Sequence, residues 1–277
     1  MKPVVQKFLG HAVIVLAGVH LLMPPLLRGE DDAGNQGLSR REKVGLFNAV
    51  AVGGVLTYGT LMWNYWEKTP HSQSEGWFGR ETKHGGADKT GHMYTGYVAS
   101  RICSNIYQGW GYDKADAAGL GAMTSLLFTG AMETGDSFSG FGFSPEDMIS
   151  NTAGAGLGYL LERYPDLGEF IDYRLEYAPS RIAKDPTTDY EHLRYMFAFR
   201  LAGFDALKDS PFRYVDLLAG YYTRNYHGDV PRDRRERDVF IGVGLDLAEL
   251  FPAKKIATIF RYLEVPYTYL EGNRQFR

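Results

Sequence analysis

The chain of 277 residues has a single cysteine, Cys103. One thiol excludes an intrachain disulfide framework and any zinc or iron–sulfur site built from the cysteines of one chain. An excess of charge is also missing. Lys and Arg number 30 against 33 Asp and Glu, for a net charge of −3, so the basic surplus of a nucleic-acid binder is absent. No G-x-S-x-G, Walker A or H-E-x-x-H motif occurs, which removes the common routes to a serine hydrolase, a nucleotide enzyme or a zinc protease. With 44% hydrophobic and 23% charged residues the averages are those of a soluble chain, and the length allows one large domain or two. The averages conceal that the apolar residues are bunched.

The first segment carries Lys2 and Lys7, then an apolar run from Ala12 to Leu27, then charge. A basic start before a short apolar stretch is the pattern of an export signal. No small-x-small site precedes Arg28, and Pro24 and Pro25 break the run, so the segment reads as an uncleaved anchor, the alternative being a buried helix of a soluble core. No lipobox cysteine stands near this end. A second run, Val44 to Trp66, has no charged residue. Ser39 and Glu42 open it with the spacing of a capping box, and Trp63, Tyr65 and Trp66 close it with an aromatic belt. Its length suits a membrane-spanning helix, while Asn48 and the glycines at 45, 53, 54 and 59 predict packing against other helices.

After a polar loop to Ala87, three helices are expected. The first begins at Asp88 as its N-cap, the second near Asp113, and the third at Ser144-Pro145-Glu146-Asp147, which joins an N-cap serine to proline at the first helical position and acids in the first turn. Beyond Pro165 the apolar period changes to two. Ile171, Tyr173, Leu175 and Tyr177 alternate with Asp172, Arg174 and Glu176, and residues 193–202, 212–226 and 238–247 add three more strand-like runs. Four such segments argue for an antiparallel sheet, half-barrel or barrel wall. A helical patch over 248–263 follows. The basic run from Arg232 to Arg237, interleaved with acids, reads as a hairpin tip in solvent. The fold class is therefore α+β: anchor helices and loop over 1–87, a helical unit over 88–165, and a strand-rich unit over 166–277.

The polar residues of the central helices fall at helical spacings. Asp88 and His92 are four apart and Lys89 and His92 three apart, so one helix end presents an acid, a cation and an imidazole together. Glu133 and Asp136 occupy the C-terminal end of the second helix, where the dipole disfavours acids. Asp147 and Asn151 share a face of the third. Ionisable groups beside apolar spans are costly to desolvate, which points to a site, although capping and polar packing explain each residue taken singly. His71, His84 and His92 with Asp88 could bind a divalent cation. Gly154, Gly156 and Gly158 lie inside a helix with no preceding strand and predict close helix packing.

The blocks Asp88-Lys89-Thr90-Gly91-His92, Glu133-Thr134-Gly135-Asp136, and Phe143-Ser144-Pro145-Glu146-Asp147 with Asn151 and Gly154 resemble the ordered motifs of the YfiM-like lipoproteins. That bacterial envelope family, of unknown function, is similar in turn to VanZ-like membrane proteins. The resemblance covers residues 87–164 and implies an envelope location, inner or outer membrane undecided, and a shared polar cluster. Three functions follow as expectations. One is an integral membrane protein with a structural or accessory role. Another is an enzyme acting on a lipid or glycolipid head group, with His92 as general acid or base, Lys89 holding an anion, Glu133, Asp136 or Asp147 orienting the imidazole or binding a cation, and Asp88 and Asn151 in support. The third is a subunit of a larger membrane assembly. Membrane lipid is the expected partner, with other membrane subunits as a further one and nucleic acid excluded.

Overall fold

A computed structural model describes residues 37–178, 188–227 and 230–275. The expected anchor run from Ala12 to Leu27 lies outside the described residues. Helix α1 spans Arg40–Met62, and Ser39 and Glu42 close the capping box. Its buried stripe includes Val44, Asn48, Val52, Val55 and Leu56, whereas Leu46, Val50 and Leu61 stay exposed. By length and composition α1 could cross a membrane.

Helices α2 (Ala87–Gly109), α3 (Lys114–Ser137) and α4 (Pro145–Arg163) pack tightly because small residues let their backbones meet. A Cβ on Gly96 would stand 3.0 Å from Ala155 N, one on Gly121 would stand 2.7 Å from Ser104 N, and one on Gly154 would stand 2.9 Å from Tyr97 N. Gly154 and Gly158 thus serve the expected close packing, while Gly156 faces open space. Asp113 and Ser144 cap as the sequence suggests. Asp88 does not. The cap of α2 is Gly86, in the left-handed region that a glycine enters freely, and the Asp88 carboxylate turns inside the first turn to pair with Lys89.

Short helix α5 (Pro165–Phe170) leads into β1 (Ile171–Tyr177), β2 (Leu193–Arg200), β3 (Val215–Arg224) and β4 (Glu236–Leu245). The expected closing helix is broken at Pro252 into α6 (Leu247–Leu250) and α7 (Lys254–Phe260), since proline cannot donate within a helix. A fifth strand, β5 (Tyr269–Gln275), ends the described chain. The five strands form one antiparallel meander in sequence order. The other edge of β1 bonds to the segment just before β5. Leu175 N donates to Tyr262 O and Glu264 N to Leu175 O, both at 2.9 Å, so the wall curls back on itself.

The inner face of the sheet is mixed, with a buried apolar cluster of Met196, Leu218, Tyr222 and Phe240 beside a paired charged set. Arg174, Asp172 and Asp216 turn inward and are buried, with Arg174 bonded to Asp216 at 2.7 Å and to Glu264 at 3.0 Å. The apolar alternates Tyr173 and Tyr195 pack outward onto Tyr94 and Tyr97 of α2. The basic run is a solvent tip only in part, with Arg232, Asp233 and Arg234 exposed. Arg232–Arg234 is a single 3-10 turn, and Arg235 and Arg237 reach back to main-chain carbonyls of the loop at Phe78, Arg80 and Thr82.

Candidate functional site

Three helix ends converge. The first turns of α2 and α4 and the last turn of α3 bring Asp88, Lys89 and His92 together with Asp147, Asn151, Glu133 and Asp136. The loop between α1 and α2 adds Glu75. Lys89 Nζ lies 2.7 Å from Asp147 Oδ1, 2.8 Å from Asp88 Oδ2 and 2.9 Å from Glu75 Oε2, with 1% of its side chain exposed. Its pKa is raised: burial alone would lower it, but the carboxylates of Asp88 and Asp147 outweigh burial. The ammonium is therefore committed to the protein and does not line the cavity, so the expected role of Lys89 as a substrate anion binder fails.

His92 is held differently. Its Nδ1 lies 3.3 Å from Asn151 Oδ1 and 3.5 Å from Glu133 Oε1, and its Nε2 lies 3.6 Å from Asp147 Oδ1. Glu133 accepts from Ser144 N at 3.3 Å and from Asn151 Nδ2 at 3.5 Å. Burial pushes the Glu133 carboxyl up to about 9, reinforced by Asp147 and Asp136, and burial pushes Asp136 up to about 7 against the bond it makes with Tyr65. Glu133 therefore keeps its proton near neutrality. A proton donor and an ion-paired carboxylate thus flank one imidazole, which is the arrangement that general acid–base work requires.

The cluster opens into a cavity of about 1080 Å³. Glu75, Asp88, His92, Glu133, Asp136 and Asp147 make its polar end. Its apolar walls come from Val55, Tyr58 and Trp63 at the end of α1, from Phe128 and Met132 of α3, and from Leu175, Leu193 and Tyr195 of the sheet. Lys83 and His84 also line it, and burial lowers His84 to about 4. Asn151 does not line the cavity. It acts on the site through His92 and Glu133.

Two sets of side chains have ligand atoms within 4.8 Å of one another, close enough for a cation: His92, Glu133 and Asp147, and Glu75, Asp88 and Asp147. The second set already surrounds the Lys89 ammonium. The first shares Asp147 with it, and would hold a divalent cation only with Glu133 ionised. His71 and His84 belong to neither set, so the expected histidine group does not assemble; His71 sits against Thr69 and Gly142, and His84 lies against the Tyr190 ring. Glu75 and Lys83 had no signal in the sequence, because they lie in a polar loop without periodicity.

Residues 74–163 match a family described as predicted periplasmic lipoprotein (DUF2279). The matched span contains Glu75 and every polar residue of the three helix ends. No curated protein and no solved structure matches the chain.

Proposed function

We propose that this is a cell-envelope protein that takes an amphiphile into the cavity and acts on its head group as a hydrolase or transferase. One observation carries the reading: His92, Glu133, Asp136 and Asp147 meet at the polar end of a cavity whose other walls are mainly apolar, with Lys83, His84, Thr188 and His227 as the further polar members. Such a division matches a molecule with a hydrogen-bonding head and a hydrocarbon tail. Carboxyl groups dominate the polar end, so a head group rich in hydroxyl or amine donors, as in a lipid or glycolipid, is complementary to it. His92 accepts the proton of the attacking group, and protonated Glu133 supplies one to the departing group. Asp147, fixed by Lys89, orients the imidazole. A divalent cation on His92, Glu133 and Asp147 would replace these proton-transfer roles, since its ligands must be deprotonated, and would polarise a head-group oxygen instead.

The envelope location draws on the description of the matched family and on the apolar length of α1. The motif resemblance to YfiM-like and VanZ-like proteins agrees with it. The test is release of water-soluble head groups from envelope lipids by the full chain in mild detergent. His92→Gln is expected to keep the wild-type melting temperature and lose about 10²–10⁴-fold in rate. No release by the wild type, or unchanged release by folded His92→Gln, refutes the reading.

A structural or accessory role, including service as a subunit of a larger membrane assembly, is favoured by a different observation. Lys89 staples α2 to α4 and to the preceding loop through three carboxylates, a tie that needs no substrate. It predicts that cluster substitutions lower stability or assembly alone, and mass determination in mild detergent reads out the assembly.

A further inference from the structure

We infer that the loop over 76–85, with the basic β3–β4 turn beside it, is a docking surface for the head groups of an anionic lipid bilayer. The loop holds Trp77 and Phe78 out of the protein, 44% and 43% exposed. Its main chain is fixed while those rings stay outside. Phe78 O accepts from Arg237, Thr82 O from Arg235 at 3.3 Å, Arg80 O from the Tyr226 hydroxyl at 3.4 Å, and Gly85 O from the Tyr221 hydroxyl. The Phe78 ring meets Tyr221 edge-on at 5.3 Å. Two large aromatic groups on a pinned loop are therefore presented to the surroundings as a constant feature of the fold.

The same bonds bring the basic run to the loop. Among the described residues, Arg80, Lys83, Arg232, Arg234, Arg235 and Arg237 stand against Glu81, Asp233 and Glu236, a positive surplus on a chain whose net charge is −3. Lys83, Arg232 and Arg234 are exposed. Aromatic rings beside lysine and arginine match a bilayer interface, where rings settle at head-group depth and cations meet lipid phosphate. Two copies of the chain meeting here would oppose like charge to like.

Continuity with the cavity favours a bilayer over a soluble polyanion. Lys83 lies 4.9 Å over the Phe141 ring, and both are exposed and line the cavity, so the patch runs into its edge. Tyr58 and Met62 reach that cavity from the last two turns of α1 and are also exposed. Helix α1 is long and apolar enough to cross a membrane, and a span ending at the cavity would set its edge at head-group level. The choice of lipid thus rests in part on the amphiphile reading of the cavity, whereas the charge and the exposed rings do not.

Fluorescence of a polarity-sensitive label separates the occupants. The full chain carrying Trp77→Cys, Glu81→Cys, which leaves both rings in place, or Lys254→Cys on α7 beyond the far end of β4 is labelled with a nitrobenzoxadiazole group. It is reconstituted in vesicles of phosphatidylcholine alone or mixed with phosphatidylglycerol. Native Cys103 is buried and its thiol is pushed up to about 11 by desolvation, so it stays unlabelled near neutral pH. Docking predicts that phosphatidylglycerol raises emission at positions 77 and 81 by about twofold or more, that high salt reverses the rise, that Arg232→Glu with Arg234→Glu abolishes it, and that position 254 does not respond. Emission at 77 and 81 that ignores phosphatidylglycerol or the two charge reversals overturns the inference. So does an equal rise at 254. The same rise in detergent also overturns it, with dextran sulfate signifying a site for soluble polyanions and with protein concentration alone signifying a second copy. Lipid held by the cavity in mild detergent without a response at 77 and 81 would sink the docking surface and leave the proposed function standing.

Discussion

The Lys89 ammonium sits among three carboxylates with almost no contact with water, and its removal strands their charge. Breaking a buried pair by deleting one partner costs about 3–5 kcal/mol. Lys89→Met should therefore destabilise the chain by that order in urea unfolding, and a loss under about 1 kcal/mol, the ordinary worth of an exposed pair, would show that the staple is solvated. Glu133 sets a pH dependence of opposite origin. Its folded pKa is raised from 4.5 to about 9, so between those values the folded state holds a proton that the unfolded state has released. Stability then falls as pH rises through that window. Asp136, raised to about 7, adds to the fall in its lower part. Melting temperature should decline over this range in the wild type and decline less in Glu133→Gln; equal slopes would mean that Glu133 titrates normally. At this scale the sequence revealed the members carried on helices, because spacings of three and four place side chains on one face. Glu75 was invisible, since a loop residue reaches a site only through the tertiary path of its loop. The same spacing argument brought Lys89 to the site without showing that its charge would be spent on neighbouring acids.

Between elements, the glycines of α4 make a sharper contrast. A methyl group on Gly154 collides with the main chain of α2 at Met93 and Tyr97, whereas one on Gly156 meets nothing within 4 Å. Gly154→Ala should cost about 1–3 kcal/mol or more through overpacking. Gly156→Ala should gain about 0.5–1 kcal/mol, because alanine loses less backbone freedom in a helix. Thermal unfolding of both variants checks the pair, and equal shifts would contradict the packing of α2 on α4. Capping and period identified most elements: Ser39, Asp113 and Ser144 marked helix starts, and alternation marked four strands. Alternation could not say which face turns inward, for a period of two distinguishes faces without ranking them. Here the charged set of Asp172, Arg174 and Asp216 turns in because its members pair with one another and with Glu264. Strand β5 escaped notice because Leu270, Glu271, Gly272, Asn273 and Arg274 do not alternate; register with β4 alone makes them a strand.

For the whole molecule, the cavity lies between the helices and the sheet. Val55 and Phe128 face it from the helices, and Leu193 and Tyr195 from the sheet, so both parts shape one space. No local pattern in a sequence records such a space, which exists only once distant elements dock. The central claim is that this space holds an amphiphile with its head at His92, Glu133 and Asp147. Gly54 stands at the exposed rim of the cavity, and a Cβ there meets nothing within 4 Å, so Gly54→Trp obstructs the mouth without disturbing the helix that bears it. The most direct measurement is native mass spectrometry of the full chain released from mild detergent after exposure to envelope lipids. The wild type should retain one lipid per chain and Gly54→Trp, folded to the same melting temperature, should retain none; a wild type without lipid, or equal retention by both, would contradict the claim.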